Sequence, residues 1–142
     1  MALEFNRPAI KLDPNYSDAK NNYGLFLCQR GRGQDGIRYM MEALRNPLYQ
    51  TPELAYKNAG LCARKMGNQK DADEYFARAL KIDPNQPAAL YAMAESSYAR
   101  GDLVAARDLL NRYMKAVPNA GAEELWLGAR LERRLGDRTA MM

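Results

Sequence analysis

One spacing constrains this chain more than any other feature: its small and turn-forming residues return after 34 positions. Gly60 is followed by Ala94, Gly67 by Gly101 and Pro84 by Pro118, each 34 residues on. Within one such unit, Glu53–Gln86, apolar residues recur at helical spacing in two blocks, Tyr56 to Met66 and Ala72 to Leu80. Gly67-Asn68 separates the blocks, and Asp83-Pro84-Asn85 stops the second, since proline cannot continue a helix. A pair of short amphipathic helices cannot bury its apolar face alone. A fixed period of this length therefore implies that neighbouring pairs stack and share one core.

The marker residues are a large one (Tyr56), then Ala59-Gly60, Ala63, Ala72, Phe76, Ala79 and Pro84. In that order and spacing they resemble the tetratricopeptide signature. The fold class expected is all-α, a tetratricopeptide-repeat α-solenoid: a right-handed superhelix of antiparallel helix pairs. About three full repeats are expected, over residues 17–50, 53–86 and 87–120, with a partial one over 121–140. In the first, Tyr23-Gly24, Leu27, Gly31, Gly36, Met40 and Ala43 hold the marker positions. Gly24 to Gly60 spans 36 residues, so the connection Asn46–Pro52 carries a two-residue insertion. In the third, Leu90, Met93, Ala94, Ser97, Ala106, Leu110 and Pro118 do so, and Pro87 suits a first helical turn. The fourth opens with Trp126-Leu127-Gly128, and Gly136-Asp137 reads as the Gly101-Asp102 turn with one residue added. Ala9–Asn15 matches Ala79–Asn85, yet Pro8 intrudes, so residues 1–16 read as a disordered or partial capping half-repeat.

Composition excludes several function classes. The chain has 142 residues, 21 Lys and Arg against 17 Asp and Glu, and a net charge of +4 spread along its length. Its densest basic run, Arg130 to Arg138, is broken by Glu132 and Asp137, so nucleic acid is not the expected partner. With no histidine and two cysteines, no metal site is expected. No glycine-rich phosphate loop, nucleophile elbow or activated thiolate is present, and neither an enzyme nor a cofactor is expected. No apolar run reaches membrane-spanning length, and Met1–Pro8 has no signal-peptide character. Cys28 and Cys62 fall on adjacent first helices. In a reducing compartment they are small buried apolar residues. In the periplasm they form a disulfide worth roughly 2–4 kcal/mol. Both readings stand open.

In a stack of this kind the concave face is lined by positions 2, 5, 9, 12 and 13 of each first helix. The candidate partner-binding groove is accordingly Asn21, Leu25, Lys57, Leu61, Arg64, Tyr91, Glu95 and Tyr98. Tyrosine and arginine in a concavity suit capture of a polypeptide. The competing reading is that Leu25, Leu61 and Tyr98 only pack neighbouring helices. Repeats that clamp a terminal carboxylate carry Lys and Asn at positions 5 and 9. Here those positions are Asn21/Leu25, Lys57/Leu61 and Tyr91/Glu95, so the clamp is absent.

Three segments depart from a generic repeat: Asn21-Asn22-Tyr23-Gly24-Leu25-Phe26-Leu27-Cys28, the loop Asn46–Glu53 followed by Asn58-Ala59-Gly60-Leu61-Cys62, and Leu125-Trp126-Leu127-Gly128 with Arg130-Leu131. They resemble the type IV pilus biogenesis/stability family, the PilF/PilW-type secretin pilotins, over about residues 9–140. The resemblance implies a bacterial lipoprotein on the periplasmic face of the outer membrane. It implies six repeats that help the pilus secretin to localise and multimerise, with a secretin subunit or other pilus component as protein partner. The signal, the lipidated cysteine and the first repeats of that family are not in this sequence. The expectation is a trimmed or shorter relative, soluble as it stands, whose parent meets the membrane only through its lipid. The alternative is a generic repeat scaffold or co-chaperone binding peptides in the same groove. Homodimerisation through residues 1–16 or 121–140 is a further expectation, because end repeats expose an apolar flank.

Overall fold

The computed structural model describes residues 16–141, with side chains as far as Asp137. The half-repeat expected over residues 1–16 lies outside the described residues, Tyr16 apart. Among the described residues there are seven α-helices and no strand: α1 Ser17–Gln29, α2 Gly33–Leu44, α3 Pro52–Lys65, α4 Gln69–Ile82, α5 Pro87–Ala99, α6 Leu103–Ala116 and α7 Ala122–Met141. They fall into two compact units, Met1–Ile82 and Asp83–Met142.

The tight turns inside each helix pair are built alike. Gly31, Gly67 and Gly101 have φ of 83°, 81° and 81°, the left-handed region where a Cβ is penalised. Each glycine N–H bonds back three residues, and the next residue bonds back five: Gly31 to Cys28 and Arg32 to Leu27, Gly67 to Arg64 and Asn68 to Ala63, Gly101 to Tyr98 and Asp102 to Ser97. This is the Schellman closure, which satisfies carbonyls at a helix end. Helix starts are fixed as locally. Pro52 and Pro87 open α3 and α5, and the Gln86 side chain accepts from the Ala89 amide at 2.8 Å.

In the first unit α1 packs on α2 and α3 on α4. Gly24 and Gly36 let the first pair cross closely: a Cβ on Gly24 would stand 2.5 Å from Gly36 O. Gly60 accepts the Phe76 ring, which a Cβ would meet at 2.7 Å. Tyr23, Leu27, Met40, Ala59, Ala72, Phe76 and Ala79 are buried between the helices. The ring of Tyr23 meets Tyr39 edge-on, with centroids 4.7 Å apart. The inserted loop is held by Asn46, whose Oδ1 accepts from Leu48 N at 3.0 Å and whose Nδ2 donates to Ser17 Oγ. Ser17 in turn donates to Ala43 O at 3.0 Å.

In the second unit α6 packs between α5 and α7. Its core is Ala94, Leu103, Ala106, Leu110, Leu127 and Leu131, with Tyr91, Tyr98, Tyr113 and Leu135 packed against it. One expectation fails here. The turn expected at Gly136-Asp137 does not form, and α7 runs on through both residues. The extra residue is the reason. The glycines at 31, 67 and 101 stand fifteenth in their repeats, whereas the fifteenth residue here is Leu135. Leucine in the left-handed region costs about 1–2 kcal/mol, and Leu135 packs on the core instead.

Candidate partner-binding surface

The first helices of the first unit, α1 and α3, carry five of the expected groove residues, and their fates differ. Leu25 is half-buried against Cys28, Met40, Ala59 and Cys62, so it is part of the core edge. Lys57 and Leu61 are half-buried, and Arg64 is exposed with its guanidinium 6.0 Å from the Phe76 ring centre. Burial pushes the Lys57 ammonium below its ordinary pKa. Asn21 must be corrected. It is only 5% exposed, and its Oδ1 accepts from Asn58 Nδ2 at 3.2 Å. It is an internal tie between α1 and α3, out of a partner's reach. Two turns further along α1 and one turn further along α3, Cys28 and Cys62 join the same two helices as a disulfide, with Cα atoms 5.9 Å apart. Cys62 Sγ also lies 3.6 Å from Gly33 O.

In the second unit, Tyr91 and Tyr98 are half-buried on α5 and Glu95 is exposed between them. Tyr91 leans on Tyr113 of α6 with ring centroids 5.4 Å apart, and Tyr113 donates to Glu124 Oε1 at 2.9 Å. Burial, followed by the charge of Glu95, raises the Tyr91 phenol. Tyr98 is different. Two guanidiniums from α7, Arg130 and Arg134, each lie 4.9 Å from its ring centre. Arg134 Nη1 also reaches Tyr98 O, at 3.4 Å. Burial alone would raise the Tyr98 phenol, but hydrogen bonding to Arg134 and the two positive charges carry it below the ordinary value.

Tyr98 and Arg130 stand in the same register as the disulfide. Cys28 and Tyr98 are twelfth in their repeats, and Cys62 and Arg130 are tenth in the next. The seam between successive first helices is thus closed covalently in one unit and by a cation over a ring in the other.

Residues 63–128 match the family model described as tetratricopeptide repeat. The chain has the tetratricopeptide-repeat fold. Its helix pairs superpose on solved repeat structures, including the Sgt2 domain from Aspergillus fumigatus at a TM-score of 0.70 and 18% identity, a likeness of fold. Two relatives are nearer. The type IV pilus assembly protein PilF of Pseudomonas aeruginosa is 30% identical over 138 residues, 97% of this chain and 54% of PilF. Its structure superposes with a TM-score of 0.87, over 96% of this chain and 61% of that one. PilW, described as a widely conserved type IV pilus biogenesis factor, is 33% identical with a TM-score of 0.76, over 96% of this chain and 63% of that one. This repeat protein thus spans little more than half of PilF's length.

Sequence reading missed the contribution of α7. Arg134 was visible only as part of a broken basic run, and Arg130 only there and in the segment Leu125–Leu131. Their i, i+4 spacing was the available signal, since it sets both on one helix face beside a first-helix aromatic. Among the described residues no helix is long and apolar enough to cross a membrane, and no group of three metal-ligating side chains gathers.

Proposed function

We propose that this chain is a non-enzymatic polypeptide-binding module of type IV pilus assembly, part of a pilotin that brings the secretin to the outer membrane and promotes its multimerisation. Its similarity to PilF and PilW, running through 96–97% of the chain, carries the reading. The surface chemistry agrees with it. Lys57, Leu61 and Arg64 on one unit, and Tyr91, Glu95 and Tyr98 on the other, offer mixed apolar, aromatic and charged contacts on first helices. The working place of the full-length protein is the periplasmic face of that membrane, reached through a lipid anchor. There an oxidising environment keeps the Cys28–Cys62 bond closed.

Deleting the gene should deplete SDS-resistant secretin multimers from the outer membrane, and purified secretin subunit should bind the full-length protein. Unaltered multimers together with no binding would sink the proposal. Self-association belongs to the same reading: Leu125 and Trp126 are 58% and 67% exposed on α7, an apolar flank suited to a second copy. Light scattering should give twice the chain mass at high concentration, and a monomer at every concentration tested would refute it.

A further inference from the structure

We propose that Tyr98, Arg130 and Arg134 form an anion-recognition site for a carboxylate-bearing side chain of an acidic polypeptide. The inference deepens the proposed function and rests on it only in taking the ligand to be polypeptide. Three observations carry it. First, both guanidiniums pack on one ring at the same distance, 4.9 Å, so a single side chain positions both. Planar donor groups held in this way are suited to gripping a carboxylate through paired hydrogen bonds. Second, the nearby carboxylate of Glu132 is directed elsewhere, to Arg107 at 3.9 Å. Both arginines are exposed, and their described contacts are to Tyr98 alone. Third, further cations lie nearby, although Asp137 stands three residues beyond Arg134 on α7. Arg100 caps α5 two residues beyond Tyr98, and Arg133 lies between the two arginines on α7. Glu95, one turn before Tyr98, is the acidic group on that side of α5.

The site is not the carboxylate clamp known from other repeats, whose positions 5 and 9 are here Tyr91 and Glu95. It uses position 12 of one repeat with positions 10 and 14 of the next. It therefore needs two stacked first helices. The seam that the first unit closes with a disulfide is closed here by groups that still have donors to offer.

The test measures fluorescence anisotropy of a labelled hexaglutamate peptide with an amidated end against the full chain. A hexaglutamine peptide and a labelled oligothymidine serve as comparisons. Expected is sub-millimolar, salt-sensitive binding of hexaglutamate, weakened at least about tenfold by Arg130→Gln with Arg134→Gln. Arg38→Gln, in the other unit, should change nothing. Equal binding of hexaglutamine, tighter binding of oligothymidine, no binding, or an unaffected double variant would each overturn the site. Should the double variant unfold, the Arg130 and Arg134 Nε–H resonances of the wild-type protein decide: they shift on adding hexaglutamate, or the inference falls. If hexaglutamate does not bind while the secretin subunit still does, this inference fails and the proposed function stands.

Discussion

Opening the Cys28–Cys62 bond is the perturbation whose cost follows most directly from the structure. The two residues are 34 apart in sequence. A cross-link over that separation removes about 12–13 cal/mol/K of freedom from the unfolded chain, which is about 3.8 kcal/mol at 25 °C. Native packing should change little. Both residues are buried, at 5% and 1% exposure, and a free Cys62 thiol has Gly33 O within reach as an acceptor. Nearly all of the effect should therefore appear as lost stability with the fold retained. For a chain of this size about 3.8 kcal/mol corresponds to a fall in melting temperature of roughly 8–15 °C. Circular dichroism melts with and without reductant, and of Cys28→Ser with Cys62→Ser, measure it. Hydrogen exchange should accelerate in α1 to α4 and not in α6. A melting point moved by less than about 2 °C, with thiol titration proving the bond open, would refute the reasoning.

Two glycines on opposite sides of the same argument give opposite signs. Gly101→Ala should destabilise by about 1–2 kcal/mol, because its φ is 81°, whereas Gly136→Ala should stabilise by up to about 1 kcal/mol, because that residue is helical with open space around it. Denaturant titrations read both, and a loss at Gly136 would mean that α7 does turn there. Phe76→Ala should cost about 3–5 kcal/mol, since the ring is fully buried against Gly60; a loss below 1 kcal/mol would contradict that packing. Tyr98 should ionise before Tyr49, Tyr75, Tyr91 and Tyr113 in an ultraviolet titration, and Arg130→Gln with Arg134→Gln should remove its downward shift. Because its folded-state value is the lower one, this phenol favours the folded state as pH rises through the window between that value and 10.0.

The turns and the close crossings were legible because each depends on one residue type at one position. Only glycine tolerates φ near +81° at residues 31, 67 and 101, and only glycine admits the Gly36 backbone at Gly24. The groove was legible only as a list of positions. A template places Asn21 on the open face, but the neighbouring helix carries Asn58 opposite it, and Asn58 Nδ2 donates to Asn21 Oδ1 out of solvent. Such a pair lies 37 residues apart, where no local periodicity connects its members. The Tyr98 cluster is a contact of the same kind, between consecutive first helices. Gly136 misled because the residue type was right and its register was off by one.

The central claim is that first-helix faces of this repeat protein receive another polypeptide. Photo-crosslinking in the producing cells tests it most directly, with benzoylphenylalanine placed at Arg64 and Glu95 on first helices, and at Arg38 and Glu74 on second helices, all exposed. The account expects a discrete adduct with an envelope protein from Arg64 and Glu95 alone. Adducts confined to Arg38 and Glu74, or equal from all four, would contradict it.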